Sequence, residues 1–239
     1  MSLLRYLLII MLALPVSSAF GQEEIEDIDP WEPVNRKIFA FNETLDRYLL
    51  RPVASGYHKV MPDPAERGVA NFIYNIYEFN FMFNALLQGR PSAAAQSIGR
   101  FMVNTTVGVV GLFDVATKMG IEAQRADFGQ TLMVWGVGSG PYVMLPLFGP
   151  RTARSATGYF VDTYTSIPVW AWETEEAYLF WTVEVISYRA GLLAVDDLIT
   201  GDRYVFMRSA YLQSRATYLN GGVPQEDDFA DFEDDEDWE

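Results

Sequence analysis

The sequence predicts an all-α fold in a single domain, and three observations carry that expectation. Apolar residues recur at spacings of three and four along most of the chain, the period of a helix with one covered face. Prolines and glycines stand where such helices would begin and end. Strand-type alternation never survives more than four or five residues, and no internal repeat is present.

The first 21 residues read as a secretory signal peptide. Arg5 supplies a short positive region, Tyr6 to Leu14 an apolar core, and Pro15 a break. Small residues allow cleavage after Gly21, the favoured site, or after Ala19. An uncleaved anchor is the alternative, although the apolar core is short for a span.

Residues 22–225 then form the predicted helical domain. Pro33 suits a first helical position, and Val34, Ile38, Phe41, Leu45 and Tyr48 form an apolar stripe, widened by Phe39 and Leu49. Asn35, Arg36, Asn42, Glu43, Asp46 and Arg47 occupy the opposite face, and Pro52 is expected to end the helix. Such a helix packs on a core or lies in a membrane interface, and periodicity alone leaves both readings open.

Val69 to Leu87 reads as a helix that is apolar nearly all round. Phe72, Phe79, Phe81 and Phe83 leave a narrow polar strip near Asn71, Asn75 and Glu78. A helix of this type is buried in a large protein or faces lipid. Gly89 and Pro91 end it. Ser92 to Met119 is expected to be a kinked helix or a helix–loop–helix, interrupted at Gly108 and Gly111, with Thr105-Thr106-Val107 locally favouring strand.

Phe128 to Pro150 carries no charge over 23 positions, long enough for a spanning helix. Gly129, Gly136, Gly138, Gly140, Pro141, Pro146 and Gly149 break it repeatedly. Its backbone must therefore be satisfied inside a protein core or along a cavity at membrane depth. Thr152 to Thr165 is small and polar. Trp170, Trp172 and Trp181 cluster around a long helix from about Thr174, with Glu175 and Glu176 in its first turn. A last amphipathic helix after Asp202 aligns Tyr204, Met207, Tyr211 and Tyr218, and Asn220-Gly221-Gly222 caps it.

Charge is concentrated at the ends. Ten of the 32 acidic residues fall in 226–239, read as an acidic, disordered tail, and five more in 22–29. The body between them is close to neutral and offers no basic patch for nucleic acid. The absence of cysteine excludes disulfides, thiolate metal sites and the acylated cysteine of a lipoprotein, so the chain is expected to be non-lipidated. A single histidine, His58, excludes the common multi-histidine metal sites.

No catalytic constellation stands out. Gly136-Val-Gly-Ser-Gly140 lacks the lysine and context of a P-loop or dinucleotide fold. Ser139 does not sit in a nucleophile elbow, because Val137 precedes it by two. Glu173, Glu175, Asp196 and Asp197 are better explained by helix capping and solvation. The residues describe an exported, mostly helical protein with surplus aromatic surface, suited to binding a membrane or lipid.

Several runs carry a resemblance. Asp29-Pro30-Trp31-Glu32-Pro33 leads into Asn35-Arg36 and Phe39-Ala40-Phe41-Asn42, and Arg51-Pro52-Val53-Ala54 follows. NALLQG spans Asn84 to Gly89, GRFMVNTTVGVVGLFDVA spans Gly99 to Ala116, and Asp127 to Leu132 runs into WGVGSGPYVMLPLFGP. From Asp29 to Gly222 the chain resembles the VacJ/MlaA family of outer-membrane phospholipid-removal proteins. The resemblance implies a helical ring in the inner leaflet of the outer membrane, at its periplasmic face, with an amphipathic central channel. It implies that mislocalised phospholipid leaves the outer leaflet through this ring, which keeps the lipid asymmetry of the membrane. Its implied partners are phospholipid, the outer membrane, a trimeric porin and a soluble periplasmic carrier, with no enzyme activity and no cofactor.

On the same resemblance, Trp135, Gly136, Gly138, Gly140, Pro141, Tyr142, Leu145 and Pro146 become the candidate channel wall. Val34, Ile38, Phe39, Phe41, Asn42 and Leu45 become the anchor helix, and Phe72, Phe79 and Phe83 face lipid. The chain departs from the family in lacking an acylated cysteine and in having Ser155 after Arg154, where Asp is common. A surface adhesin and a phospholipase using His58 and Ser139 are the competing functions.

Overall fold

A computed structural model describes residues 28–199 and 201–219, the side chains of 197 and 198 apart. The expected signal peptide, the acid-rich residues 22–27, the Asn220-Gly221-Gly222 cap and the acidic tail lie outside the described residues. What is described is one mostly helical domain.

Helix α1, Glu32–Leu45, opens with Pro33 in its first turn, where a missing N–H costs nothing. It does not stop before Pro52. A π-helical turn, Asp46–Leu50, carries it directly into α2, Arg51–Val60. The Arg51 N–H reaches back to the Asp46 carbonyl, and this wider turn places Pro52 in a fresh first turn, where its ring is tolerated. The expected stop is thus a continuation.

Helix α3, Asp63–Leu87, is the longest element and packs along α4, Pro91–Thr106. Thr105 and Thr106 close α4 instead of starting a strand. The Thr106 hydroxyl donates to the Met102 carbonyl at 2.7 Å, which keeps the last turn helical. A loop leads to the short α5, Val115–Lys118, capped by Asp114.

The charge-free stretch resolves into α6, Phe128–Val134, an open glycine loop, and a two-stranded antiparallel hairpin. The hairpin pairs β1, Tyr142–Leu145, with β2, Gly149–Thr152. Tyr142 and Met144 point into the protein, with Val143 and Leu145 less covered, the period-2 signature in its shortest form. Helix α7, Ala153–Thr165, follows at once from a Thr152–Ser155 capping box. It approaches α6 so closely that a Cβ on Gly158 would lie 2.2 Å from the Gly129 nitrogen.

Helix α8, Ile167–Ala171, precedes α9, Thr174–Gly191, whose Glu173 and Glu176 form a second capping box. A 3-10 segment, Leu193–Leu198, then leads to α10, Arg203–Leu219. The apolar core is divided. Ile73, Ile76 and Phe180 join α3 to α9 with Phe72 and Trp172 around them. Tyr142, Met144 and Tyr204 join the hairpin to α10, with Ile38 and Phe39 of α1 closing the cluster.

Candidate functional site

The arrangement of side chains is inverted relative to a water-soluble core. Asn35, Asn75, Glu78, Asn80, Asn84, Gln88, Ser97, Arg100 and Asn104 are all buried. Phe41, Tyr48, Phe79, Phe83, Met102, Phe113, Trp135, Trp170 and Tyr188 are exposed. Apolar side chains turned outward, with polar groups directed inward, are what a lipid environment favours.

Helix α1 shows the inversion residue by residue. Asn35 donates from Nδ2 to Asp29 Oδ1 at 2.8 Å and to the Tyr142 carbonyl at 3.2 Å, and its Oδ1 accepts the Met144 N–H at 2.9 Å. Two turns later, Asn42 donates to the Leu145 carbonyl and accepts the Leu147 N–H, each at 2.9 Å. Both asparagines thereby grip the hairpin, so the face read as polar is the covered one. Val34, Phe41 and Tyr48, spaced by seven, are left outward, Tyr48 at 76% exposure. Trp31, Leu49, Val53 and Val60 extend this apolar ridge along α1 and α2. Ile38, Phe39 and Leu45 are half-buried.

On α3, Phe79 and Phe83 face outward and flank a cleft of about 440 Å³ closed by Thr165, Ile167, Trp170 and Ala171. Phe72 instead packs edge-to-face on Phe180. Between these aromatics, Glu78 turns inward and meets Arg100 Nε at 2.5 Å. Arg100 further donates to Thr117 Oγ1, to the Ile121 carbonyl and to both Asp114 oxygens. Burial pushes the Glu78 carboxyl above its ordinary range, against the opposing pull of Arg100. Burial acts on Asp114 too, but the Thr117, Arg100 and Asn104 hydrogen bonds outweigh it and hold that carboxyl down to about 2. This network lines a polar cavity of about 400 Å³ between α3, α4 and α5, bounded also by Asn71, Tyr74 and Arg125.

A second polar cluster joins α3, α6 and α7. Asp162 accepts the Asn84 Nδ2 at 2.7 Å and the Phe128 N–H at 2.8 Å. Thr131 Oγ1 donates to Asn84 Oδ1 at 2.9 Å, and Gln88 Nε2 donates to Thr131 at 3.0 Å. Burial drives the Asp162 carboxyl up to about 7, overriding these donors. Asp127 caps α6 and pairs with Arg215 of α10. No sequence signal pointed to these partners, which lie dozens of residues apart.

The candidate channel residues divide into two groups. Trp135, Gly136, Gly138 and Gly140 form the exposed loop before the hairpin. The Trp135 indole donates to the Leu87 carbonyl at 3.2 Å and sets its ring against Phe128. Arg154 fixes the loop by donating to the carbonyls of Val137 and Ser139. Positive φ falls at Gly136 and Gly140, whereas Gly138 has no such value. Tyr142 is fully buried against Tyr204 and Tyr211. Pro141 and Leu145 are half-buried and Pro146 is exposed at the turn. His58 sits 3.0 Å from Glu66 at the α2–α3 junction, and Ser139 lies in the glycine loop, held through its backbone.

Among the described residues no helix is long and apolar enough to cross a membrane.

Known proteins share this sequence and fold. The sequence model of the MlaA lipoprotein family matches residues 27–218. An Escherichia coli protein named intermembrane phospholipid transport system lipoprotein MlaA is 39% identical over 215 residues, covering 86% of this chain and 85% of its own. The protein of the same name from Haemophilus influenzae is 34% identical over 201 residues, covering 81% and 80%. An uncharacterized Rickettsia prowazekii protein is 38% identical over 196 residues, covering 80% and 78%. A solved chain from work on the structural basis for maintenance of bacterial outer membrane lipid asymmetry superimposes with a TM-score of 0.70. It is 39% identical and covers 80% of this chain and 98% of its own.

Proposed function

Because the chain belongs to the MlaA family, we propose that it is the outer-membrane component of a phospholipid transport system and serves to maintain outer-membrane lipid asymmetry. The observation that carries this reading is the inversion of its side chains. Phe79 and Phe83 face outward on the same helix that turns Glu78 and Asn84 inward.

On this reading the protein lies within one leaflet as a ring of helices, attached through the ridge Val34, Phe41, Tyr48 and the aromatics of α3. A polar headgroup travels along the glycine loop Trp135–Gly140, with acyl chains against apolar surface. Phospholipid then passes to a soluble periplasmic carrier, and a trimeric porin stands beside the ring. No step is enzymatic. Attachment needs no acyl chain, since one chain alone gives only marginal binding and the exposed apolar area here is far larger.

Protein purified in mild detergent should carry glycerophospholipid, visible by native mass spectrometry, and a deletion strain should accumulate phospholipid in its outer leaflet. Lipid-free protein together with an unchanged outer leaflet would overturn the proposal.

A further inference from the structure

The loop between α4 and α5 is apolar, strained and turned outward all at once. Val107, Val109, Val110, Leu112 and Phe113 are all exposed, Val107 at 65% and Phe113 at 59%. No charged residue occurs from Phe101 to Phe113. Val109 and Val110 have φ of 54° and 57°, and Gly111 follows at 90°. Positive φ in a β-branched residue is a genuine outlier, and two in succession persist only where the surroundings impose them.

The surroundings here are hydrogen bonds. The N–H groups of Val110 and Gly111 donate to the carbonyls of Thr105 and Asn104, at the end of α4. Phe113 donates to the Gly108 carbonyl at 2.9 Å and Leu112 to the Val109 carbonyl at 3.2 Å. Asn71 Nδ2 secures the Leu112 carbonyl at 3.1 Å. Glycine is required at both ends of the cinch, because a Cβ on Gly108 would sit 2.2 Å from the Phe113 carbonyl oxygen and one on Gly111 2.7 Å from Asn75. The loop thus turns six of its seven N–H groups toward itself and α3–α4, and the exposed side chains of Val107, Val109, Val110, Leu112 and Phe113 are all hydrocarbon.

We propose that Val107–Phe113 is a lipid-inserting knob that enters the hydrocarbon of the leaflet and fixes the depth of the polar cavity beside it. The occupant is acyl chain rather than a protein partner, for a reason on the loop itself. Every N–H from Val107 to Phe113 except that of Val109 is bonded within the protein and the segment carries no charge, which lowers the cost of entering hydrocarbon, whereas protein docking sites usually offer some polar groups. Asn71, Asn75 and Asp114 lie directly behind the knob and line the polar cavity. An inserted knob therefore holds that cavity at the boundary between headgroups and hydrocarbon. The inference rests on the membrane reading above and adds to it which segment goes deepest.

The chain has no cysteine, so Val110→Cys in the full-length protein gives a single site for a nitroxide label. In vesicles of phosphatidylethanolamine and phosphatidylglycerol, the label should collide with oxygen more than with a water-soluble nickel chelate. Preferential collision with nickel, in protein that still binds the vesicles, would overturn the knob while leaving the membrane reading intact. A label shielded from both reagents would mean a protein surface covers the loop, which also overturns it. Failure to bind vesicles at all would remove the membrane reading and the knob together. The double variant Val109→Asn, Val110→Asn separates insertion from folding, because Asn tolerates positive φ better than Val. Its melting in detergent should be unchanged or higher, while vesicle partition should weaken about tenfold or more. Unaltered partition would overturn the proposal.

Discussion

Glu78 and Arg100 meet at 2.5 Å between α3 and α4, both almost fully buried, while Phe79 and Phe83 on the same helix are exposed. Arg100 is the hub of the cavity, with further bonds to Thr117, Ile121 and Asp114. Removing one member of a buried pair strands the other charge and costs about 3–5 kcal/mol. We therefore expect Arg100→Met to lose stability on that order in detergent, measured by thermal or denaturant melting. Glu78→Gln should cost less, because burial already disfavours the Glu78 charge and the amide oxygen still accepts from Arg100.

Asp162 makes the junction of α3, α6 and α7 sensitive to pH. Its folded pKa, raised to about 7 by burial, lies above the ordinary aspartate value of about 3.9. The folded state therefore binds the proton more tightly than the unfolded state. The stabilisation from Asp162 is full below about pH 4, declines as pH rises, and is lost once pH passes about 7. Asp162→Asn should flatten this dependence between about pH 4 and 7. Melting curves of the two proteins across that range, and exchange of the Phe128 amide that Asp162 accepts, provide the check. Equal slopes in both proteins would show that the titration belongs to another group.

The helices were legible because their ends carry local chemistry. Pro33 in a first turn, Glu175 and Glu176 at the start of α9, and Gly89 with Pro91 between α3 and α4 all act within one turn of themselves. The facing of the helices was not legible. The stripe Val34, Phe41, Tyr48 has the period of a core face, yet it is exposed. Asn35 and Asn42 are spent on a hairpin more than a hundred residues away. That hairpin escaped detection because each strand has four residues, too short for alternation to register. Pro52 misled in the other direction, since a π turn can reset a helix and leaves no mark in composition. The polar clusters around Arg100 and Asp162 depend on long-range packing and left only isolated polar residues in apolar runs.

Asn42 ties α1 to the turn of the hairpin through two bonds, to the Leu145 carbonyl and from the Leu147 N–H. Leu147 holds a φ of 70°, a strained value for a residue with a side chain. The Asn42 contacts help to impose it. Asn42→Ala removes both bonds, which should cost about 1–3 kcal/mol and free the turn. Faster hydrogen exchange at the Leu147 amide, with α9 unaffected, is the expected result. If the proposed transport role holds, the same variant should also alter outer-leaflet phospholipid. A deletion within Phe39–Asn42 should act more severely, since it rotates every later residue of α1 by part of a turn and moves Tyr48 off the apolar ridge.

The glycine loop separates packing from passage. A Cβ at Gly138 meets nothing within 4 Å, whereas one at Gly140 comes within 2.9 Å of Ala153 at a φ of 65°. Gly140→Val should therefore destabilise the hairpin entry through strain and overlap, by about 1–3 kcal/mol. Gly138→Val should leave melting nearly unchanged, because its added bulk projects into open space. Any loss of phospholipid transport in Gly138→Val then reports on what passes that space and not on folding. Normal transport in Gly138→Val, with a stable protein at the wild-type level, would remove Gly138 from the proposed passage. Lost stability in Gly138→Val would instead mean that the loop packs more tightly than its open surroundings indicate.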